Sequence, residues 1–510
     1  MKNNLRRLWL LFSVFIIATS GLVYELIAGS ISSYLLGDAV TQFSLVIGVF
    51  LSAMGIGSYA VKFIETRLLL RFLQIELLIA LIGGMSSLLI FATAAFLGQI
   101  FSPVFYLLCA TIGALVGAEI PLLIRIVRDQ KIGDVISTVL AIVYLGALLG
   151  SLLFPFVILP YVGISRASVI FGLMNIAIVW MGFRFLSNKQ KIILRWQSMM
   201  VSFILLLTLF GSNRWVHMME DMLYQDKIIF AESTSYQRIV MTRWKNDVRL
   251  FLNGNLQFAS KDEVRYHESL IHPLFHSLQK HPKRVLLLGG GDGLAVREIL
   301  KYQSIEKIDL VDIDPVMTRI SSSMPILREM NQNSLESPKV HIFHEDAMQF
   351  VQQKDHFYDA IIVDLPDPNT DSLSKLYSVS FYQLLVRRLS EKGGLVTQAT
   401  SPFFARKAYW SIVRTLEEVR ERSPQQNHIQ VRPFHQNVPS FGEWGFVMLT
   451  KYGQNPTQFD PAISMQYLHD DLLPSLYVFG KDMDRLPVEP NHISNPILYQ
   501  YYEKGWSEFR

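Results

Sequence analysis

Two kinds of hydrophobic pattern divide the chain near residue 212. Before this point, apolar residues run almost uninterrupted for about 20 positions at a time, the length at which a helix crosses a bilayer core. After it, short apolar runs alternate with polar and charged stretches, as in a globular protein. The pattern therefore predicts a multi-pass transmembrane domain of six or seven helices over residues 1–212. Its candidate spans are Leu8–Ile27, Val40–Val61, Phe72–Leu97, Pro103–Ile126, Val135–Val162, Ala167–Phe185 and Ile192–Gly211.

The seventh candidate span is weaker than the others because Arg195 interrupts it. An arginine near mid-bilayer costs roughly 2.5–3.5 kcal/mol on insertion scales, which favours six full spans. An arginine near the end of the segment can instead reach the interface, so seven spans stay open.

Basic residues set the expected orientation, because loops rich in them face the cytoplasm. They precede the first span and then occupy alternate loops, so we expect a cytoplasmic N-terminus and a location in the cell (inner) membrane. Six spans would leave the second half of the chain in the cytoplasm, which we expect, and seven would leave it outside. The residues are Lys2, Arg6, Arg7, Lys62, Arg67, Arg71, Arg128, Lys131, Arg184, Lys189, Lys191 and Arg195.

Two acidic residues, Glu25 and Glu119, lie within the predicted spans. An ionisable group at membrane depth is costly and is a candidate for binding a cationic ligand. The plainer interpretation is a carboxyl group hydrogen-bonded inside the bundle or placed near the interface.

Composition narrows the function classes. The chain has 510 residues, 50% of them hydrophobic, and a mean hydropathy of +0.28, which is too apolar for an ordinary water-soluble protein. The net charge of +4 is small for this length and gives no case for nucleic-acid binding. A single cysteine, Cys109, rules out an intrachain disulfide. We predict no metal site and no bound cofactor.

Residues 213–260 predict a small β region. The stretches "YQRIVMTRW" and "VRLFLNGNLQF" alternate apolar and polar residues at strand period, with "NGN" as a turn. Helical spacing in "DEVRYHESLIHPLFHSL" then opens a larger domain, residues 261–454. Residues 455–510 form a C-terminal extension without a motif.

The stretch "RVLLLGGGDGLAVREILKY" predicts a buried strand, a glycine loop and a helix. Glycines allow a tight turn and close approach of the backbone to a ligand. The next strand, "KIDLVDIDP", ends at Asp312, where an acid is placed to bind ribose hydroxyls. A third strand ends at Asp346. Alternating strands and helices predict a doubly wound, Rossmann-like sheet of the methyltransferase type, with ligands at the carboxyl ends of its strands.

A fourth strand, "YDAIIVDLPDP", ends in two acids, Asp364 and Asp367, among two prolines that prevent helix formation. A further acid, Asp292, stands inside the glycine loop, where it would repel a pyrophosphate and suits a cationic ligand. Its plainer interpretation is a helix N-cap. The alternative for the pair is two solvated loop acids.

These motifs together resemble spermidine synthase, the family of polyamine aminopropyltransferases. The matching stretches lie between Tyr236 and about Thr450 in the order found in the family, and they include "LLLGGGDGLAVREIL", "DAIIVDLPDPNTDSLSKLYSVSFY" and "PSFGEWGFVMLT". The opening "SGLVYELIAGS" is similar to membrane-bound members with an N-terminal multispan domain. The resemblance implies transfer of an aminopropyl group from decarboxylated S-adenosylmethionine, as co-substrate, to a polyamine acceptor, with putrescine and its product spermidine favoured.

The resemblance also implies roles for individual residues. Asp364 stands at the position of the proton acceptor. The donor would be bound by Gln237, Gly289, Gly291, Asp312, Asp346 and Ala347, and the amine side of the site would be formed by Tyr236, Tyr266, His267, Asp292 and Asp367.

Three positions depart from the family pattern. Asp312 stands where the family usually has Glu, Ala347 where it has Gly, and Asp371 where it has Pro. These changes leave the identity of the acceptor open.

The chemistry explains why acids are needed in pairs. Free polyamines are protonated at pH 7, with pKa values near the lysine reference of about 10.4, and the attacking amine must be neutral. One carboxylate takes the proton while others bind the remaining ammonium groups.

Two other interpretations stay open. A methyltransferase that uses S-adenosylmethionine fits the glycine loop and Asp312, but it explains Asp292, His267 and the Asp364–Asp367 pair poorly. A polyamine transporter or sensor with a non-catalytic binding domain fits the two membrane glutamates. The expected partners are the polyamine, decarboxylated S-adenosylmethionine and the lipid bilayer, and a homo-oligomer is left open.

Overall fold

The computed structural model of the protein describes residues 2–36, 39–97, 100–128, 135–224, 226–353 and 355–509. These residues form two compact units, Met1–Thr242 and Arg243–Arg510. Of the basic loop residues named above, Lys131 lies outside the described residues.

The first unit is a helical bundle. Six of its helices are long and apolar enough to cross a membrane, and a bent pair, α3 with α4, raises the number to seven if it counts as one span. A π-helix, Phe154–Val162, follows α6. The helices are α1 (Lys2–Leu36), α2 (Ala39–Ala60), α3 (Leu68–Gly84), α4 (Ser86–Leu97), α5 (Phe101–Arg128), α6 (Val135–Leu153), α7 (Ile164–Gly182) and α8 (Asn188–Tyr224).

The interruption among the apolar segments lies in the third one rather than in the seventh. Helix α8 is continuous through Ile192–Gly211, and Arg195 is exposed near its start, within reach of an interface. Helices α3 and α4 instead meet at an angle of 49° at Met85. The break follows Gly83 and Gly84 and precedes two serines, a composition typical of helix kinks.

Side-chain contacts show that α3 and α4 together follow the whole length of α1. Near the start of α1, the ring of Trp9 lies 6.1 Å from that of Phe72 in α3. Near its end, the ring of Tyr34 lies 6.3 Å from that of Phe91 in α4. The bent pair therefore runs in the same direction as α1 from one end of the bundle to the other, as a broken span does.

Helix α8 also runs in the direction of α1. Phe185, three residues before α8 begins, contacts Trp9 at the start of α1 with ring centroids 5.2 Å apart. At the other end, the hydroxyl groups of Tyr224 and Tyr34 lie 2.7 Å apart. The chain thus leaves the bundle at the end opposite to the start of α1.

A small four-stranded sheet follows, in the order β1-β2-β3-β4. The predicted "NGN" turn joins β3 to β4, where Asn253 and Gly254 both have positive φ, as a two-residue hairpin turn requires. The strands are β1 (Lys227–Ser233), β2 (Arg238–Trp244), β3 (Asp247–Leu252) and β4 (Asn255–Ala259).

The second unit contains a seven-stranded sheet in the order β10-β11-β9-β8-β5-β6-β7. Strands β5 to β9 are parallel, and β10 and β11 form an antiparallel edge. Two clusters of buried apolar side chains pack against the sheet. The strands are β5 (Arg284–Gly289), β6 (Lys307–Val311), β7 (Val340–Phe343), β8 (Tyr358–Asp364), β9 (Leu389–Gln398), β10 (Ile429–Val438) and β11 (Gly442–Lys451).

This arrangement is the predicted doubly wound, Rossmann-like sheet. Strand β5 lies between β6 and β8, so the strand order reverses there, and ligands bind at such a point outside the carboxyl ends of the strands. The helices are α9 (Glu263–Ser277), α10 (Leu294–Leu300), α11 (Pro315–Ser323), α12 (Pro325–Met330), α13 (Ala347–Gln353), α14 (Asp371–Ser374), α15 (Val379–Arg388), α16 (Arg406–Glu421) and α17 (Ile497–Ser507).

The C-terminal extension is bound to the sheet domain by a buried carboxylate. Glu268 of α9 accepts hydrogen bonds from the backbone N–H groups of Gln466, Tyr467 and Leu468, at 2.6, 3.0 and 2.9 Å. Hydrogen bonds to a charged group are among the stronger ones in proteins, so this contact fixes the path of the extension.

Candidate active site

The glycine loop joins the ends of β5 and β8. Gly289 has φ of +80° and pairs in register with Asp364, and a Cβ atom at Gly289 would lie 2.0 Å from the Asp364 carbonyl oxygen. Gly293 also has a positive φ, +82°, where α10 begins. Only glycine allows this conformation and this close approach without strain.

Asp312 follows β6 and holds the glycine loop from the other side. Its Oδ2 accepts a hydrogen bond from the Gly291 N–H at 3.0 Å, and its Oδ1 accepts one from the Asp314 N–H at 2.9 Å. Burial raises the pKa of Asp312 to about 6, although these two N–H groups oppose the rise. The glycine loop and the strand-end acid predicted to bind the nucleoside therefore lie together.

Asp364 ends β8 and receives a hydrogen bond from Tyr266. The Tyr266 hydroxyl donates to Asp364 Oδ1 at 2.6 Å from helix α9. Burial raises the pKa of Asp364 to about 6. The charge of His267 and the Tyr266 hydrogen bond oppose that rise, and the charge of Asp292 adds to it. A carboxylate with a pKa near 6 is ionised at pH 7 and basic enough to accept a proton.

His267 is held by a buried ion-pair network. Its Nδ1 lies 2.8 Å from Glu263 Oε2, and Arg297 binds the same carboxylate through two N–H groups at 2.8 and 3.0 Å. Burial alone would lower the pKa of His267. The hydrogen bond and charge of Glu263, with the charges of Asp292 and Asp364, outweigh it and raise the pKa to about 9.

Asp292 caps a helix and also belongs to the group of charged residues in the site. Its Oδ1 accepts a hydrogen bond from the Leu294 N–H at 2.8 Å, so the N-cap interpretation is correct as far as it goes. Burial raises the pKa of Asp292, and the charge of His267 opposes the rise. The side chain is therefore also part of the charged group around Asp364.

Asp367 is fixed by three donors from two later segments. Gln398 Nε2 donates to its Oδ1 and Thr400 Oγ1 to its Oδ2, each at 3.2 Å, and the Tyr502 hydroxyl on α17 also hydrogen-bonds its carboxyl group. Burial raises the pKa of Asp367 to about 6 against these hydrogen bonds. Thr400 has φ of +55°, a conformation that a β-branched residue adopts only when its surroundings impose it.

Asp346 lies at the carboxyl edge of the sheet after β7, next to β6. Its Oδ1 accepts the Gln349 N–H at 3.0 Å and so caps α13, while its Oδ2 lies 3.6 Å from Lys375 Nζ. Ala347 is the first residue of α13 and is buried. Asp371, which departs from the family pattern, is exposed at the start of α14.

Tyr236 and Gln237 belong to the first unit, in the bend before β2. Tyr236 is exposed, and the Gln237 N–H donates to Thr234 Oγ1 at 3.0 Å. Their assignment to the ligand site stays a prediction.

Sequence reasoning missed the residues that hold the site residues in place. Glu263 and Arg297 orient His267, and they lie on helices whose patterns gave no sign of a buried ion pair. Gln398 and Thr400 follow β9, and a polar "QATS" directly after a buried strand is a signal that was available. Tyr502 comes from the extension and had no signal at all.

A second acidic cluster, Glu268, His272 and Glu298, has the residue types of a metal site. Its polar atoms already have protein partners: Glu268 binds three backbone N–H groups, and Glu298 contacts His272, Arg297 and Lys301. We therefore assign it to the structural network beneath α9.

Taken together, Asp292, Asp312, Asp364 and Asp367 lie at the carboxyl ends of neighbouring strands, and the charges of Asp292 and Asp364 act on the imidazole of His267. Such a site carries excess negative charge. It suits a ligand with several positive charges and offers a base next to a tightly packed glycine loop.

Comparison with known proteins agrees with this chemistry. Residues 263–461 match the spermine/spermidine synthase domain. The chain is 45% identical over 507 residues to the polyamine aminopropyltransferase of Leptospira interrogans, covering 98% of both chains. It is 44% identical over 509 residues to polyamine aminopropyltransferase 2 of Ralstonia nicotianae, again covering 98% of both. It is 38% identical over 508 residues to the polyamine aminopropyltransferase of Oceanobacillus iheyensis, covering 97% of this chain and 96% of that one.

We predict that His267 is a cation at neutral pH and that Glu263 is the cause. Histidine-selective labelling and NMR titration of the full-length protein should place the pKa of His267 at about 9. Glu263→Gln keeps the shape and removes the charge, so the pKa should fall by at least about one unit. His276, whose pKa burial lowers, is the internal control and should not follow the change. A wild-type His267 that titrates near 6.5 would contradict this account of the site.

Proposed function

The chain belongs to the polyamine aminopropyltransferase family, and from this premise we propose that it transfers the aminopropyl group of decarboxylated S-adenosylmethionine to putrescine, giving spermidine and methylthioadenosine. The observation that supports the proposal most strongly is the group of buried acids after β5 and β8, in which Asp292 and Asp364 act on His267 and Asp367 follows three residues after Asp364. This charge distribution is suited to two cationic substrates.

In the proposed reaction, a neutral amine nitrogen of putrescine attacks the methylene carbon next to the sulfonium. A carbon–nitrogen bond forms and the carbon–sulfur bond breaks. The sulfur keeps the electron pair and becomes the neutral thioether of methylthioadenosine. Before the attack, the reacting ammonium group of putrescine gives one proton to Asp364, which passes it to solvent. The product leaves as a secondary ammonium, so charge and atoms balance.

Asp364 is suited to the role of base by its surroundings. Its pKa of about 6 keeps it ionised at pH 7. The Tyr266 hydroxyl at 2.6 Å orients the carboxylate, which leaves the second oxygen to accept the proton. A positioned carboxylate of this kind contributes about 10²- to 10⁴-fold to a rate.

Asp367 is suited to binding the ammonium group that does not react. It is held by Gln398, Thr400 and Tyr502, so its orientation is fixed before the substrate arrives. Binding one end of a diamine in this way places the other end for attack and supplies part of the rate through proximity.

We assign the adenosyl part of the donor to the side of the glycine loop that faces β6 and β7, away from Asp367. We assign the ribose hydroxyls to Asp312 and the adenine to Asp346 and Ala347, with Gly289 and Gly291 allowing close backbone approach. A methyltransferase would use the donor side equally well but has no need for Asp364 with Asp367.

We further propose that the chain spans the membrane seven times. The bent pair α3–α4 follows α1 from end to end, and α8 runs parallel to α1. The basic loops lie at the start of α1, and on that basis this end faces the cytoplasm. The chain would then leave the bundle on the opposite side, which reverses the expectation of six spans and a cytoplasmic catalytic domain.

Asp364→Asn should abolish turnover while leaving the donor bound. We expect a loss of about 10²-fold or more in spermidine formed from putrescine, because the neutral amide accepts no proton. In the wild type, kcat/KM should fall as pH drops through about 6, where Asp364 becomes protonated. Asp371→Asn, an exposed acid in the same loop region, is the matched control and should keep its turnover. Turnover of folded Asp364→Asn within a few-fold of wild type would remove Asp364 from the mechanism.

Asp312→Ala should weaken binding of methylthioadenosine, measured by calorimetry on the full-length protein. Loss of hydrogen bonds to a charged group corresponds to about 1.5–3 kcal/mol, or roughly 10- to 100-fold in Kd. Asp367→Asn, on the amine side, should leave this affinity unchanged. Equal affinity of Asp312→Ala and wild type would place the nucleoside elsewhere.

A pair of C-terminal reporters should decide the number of spans. With seven, a reporter active only outside the cytoplasm should give signal after Glu508, and a cytoplasm-specific reporter at the same site should be silent. Fusion after Arg184, in a basic loop, is the control and should give the opposite pattern. Cytoplasmic signal after Glu508 would restore the six-span prediction.

A further inference from the structure

Two glutamates from different helices meet inside the first unit, Glu76 of α3 and Glu119 of α5. Glu76 is fully buried and Glu119 is 1% exposed. Their carboxyl groups lie within hydrogen-bonding reach of each other. Sequence analysis singled out Glu119, but Glu76 was hidden in the apolar run "LQIELLIALIGG". The pair has no place in the aminopropyl transfer.

Both oxygens of Glu76 and Oε1 of Glu119 have no hydrogen-bond donor among the residues that the structure describes. Two adjacent bare carboxylates repel each other, and each costs several kcal/mol in an apolar interior. The pair is therefore stable only with a positive charge between the two carboxyl groups. A shared proton is the smallest cation that can supply this charge.

A polar centre surrounds the pair. Tyr24 of α1, also buried, is close enough to interact electrostatically with both glutamates. Asn175 of α7 contacts the Tyr24 hydroxyl at 3.5 Å and accepts a hydrogen bond from Ser20 at 3.1 Å. Helices α1, α3, α5 and α7 thus all contribute to one polar point in an apolar bundle. In a water-soluble protein such a cluster would be a buried polar network. Within a membrane, ionisable groups of this kind mark a candidate functional site.

The available oxygens favour an ammonium group over a metal ion. Glu76 and Glu119 both lie within helices, whose carbonyl groups are already hydrogen-bonded. Pro121 lacks an N–H and so releases the carbonyl of Gly117, but the Ser58 hydroxyl donates to that carbonyl at 2.7 Å. Two carboxyl groups and a phenol supply fewer oxygens than the six to eight that Ca²⁺ takes, whereas an ammonium has three N–H donors.

We propose that Glu76 and Glu119 form a binding site at which a shared proton is exchanged for the ammonium group of a diamine. The choice of a diamine rests on the proposed function, since putrescine is the acceptor assigned to the catalytic unit. With one shared proton the pair carries a charge of −1. When both groups are ionised and hold one ammonium group, the charge of the pair with that ammonium is again −1, and one proton is released. The second ammonium group of the diamine lies outside the pair and brings one further positive charge.

The test is the stoichiometry of putrescine binding to full-length protein in lipid nanodiscs, without the aminopropyl donor. Wild type should bind two molecules per chain. Glu76→Gln and, separately, Glu119→Gln should bind one, at the catalytic unit. The double variant Asp364→Asn with Asp367→Asn should bind one, at the membrane pair, and this binding should release one proton in weakly buffered solution. Glu65→Gln, an exposed acid in the loop before α3, is the matched control and should behave as wild type.

Aminopropyl transfer is measured on the same samples, so failure of the two proposals can be told apart. Glu76→Gln should keep wild-type transfer, which also shows that it folds. If wild type shows no aminopropyl transfer but still binds putrescine with release of a proton, the proposed function is overturned and the exchange site is not. The exchange site is overturned if wild type binds only as much putrescine as Glu76→Gln, or if the double variant binds it without releasing a proton.

Discussion

Unbalanced negative charge at the carboxyl edge of one sheet is the constraint on which the catalytic unit depends. Asp292, Asp312, Asp364 and Asp367 are drawn together there, and burial raises the pKa of each. The raised pKa of His267 favours one positive charge among them. Isolated buried charge is costly, so this arrangement favours a cationic ligand that completes it.

Several contacts of the fold hold these acids and His267 in fixed positions. Glycine at position 289 lets β5 and β8 end within contact distance, which sets Asp364 beside the glycine loop. The Glu263–Arg297 pair fixes His267, and Tyr502 brings the C-terminal extension to Asp367. Segments without any motif therefore hold His267 and Asp367 in place at this edge of the sheet.

The sequence predicted the doubly wound sheet and the strand-end acids because both depend on short local patterns: apolar runs, glycines and the residues that follow them. The sequence patterns did not predict the roles of Glu263, Gln398 and Tyr502, because these roles arise from contacts between distant segments. Glu76 escaped for the opposite reason, since one acid in an apolar run does not reveal a partner on another helix. The break at Met85 is not predicted, because the glycine and serine residues around it fit within one apolar run. Arg195 predicts an interruption in a helix that is in fact continuous.

The most direct test of the charge constraint is the pH dependence of stability in Asp364→Asn. The folded pKa of about 6 exceeds the unfolded value of about 3.9. The contribution of Asp364 to stability is therefore fully present below about pH 4 and is lost as pH rises through about 6. Since the side chain is partly exposed, the cost at pH 8 should be on the order of 1–2 kcal/mol. Thermal unfolding of the full-length protein should show Asp364→Asn more stable than wild type at about pH 8, with the difference vanishing near pH 4. A variant equal to or less stable than wild type at pH 8 would contradict the account.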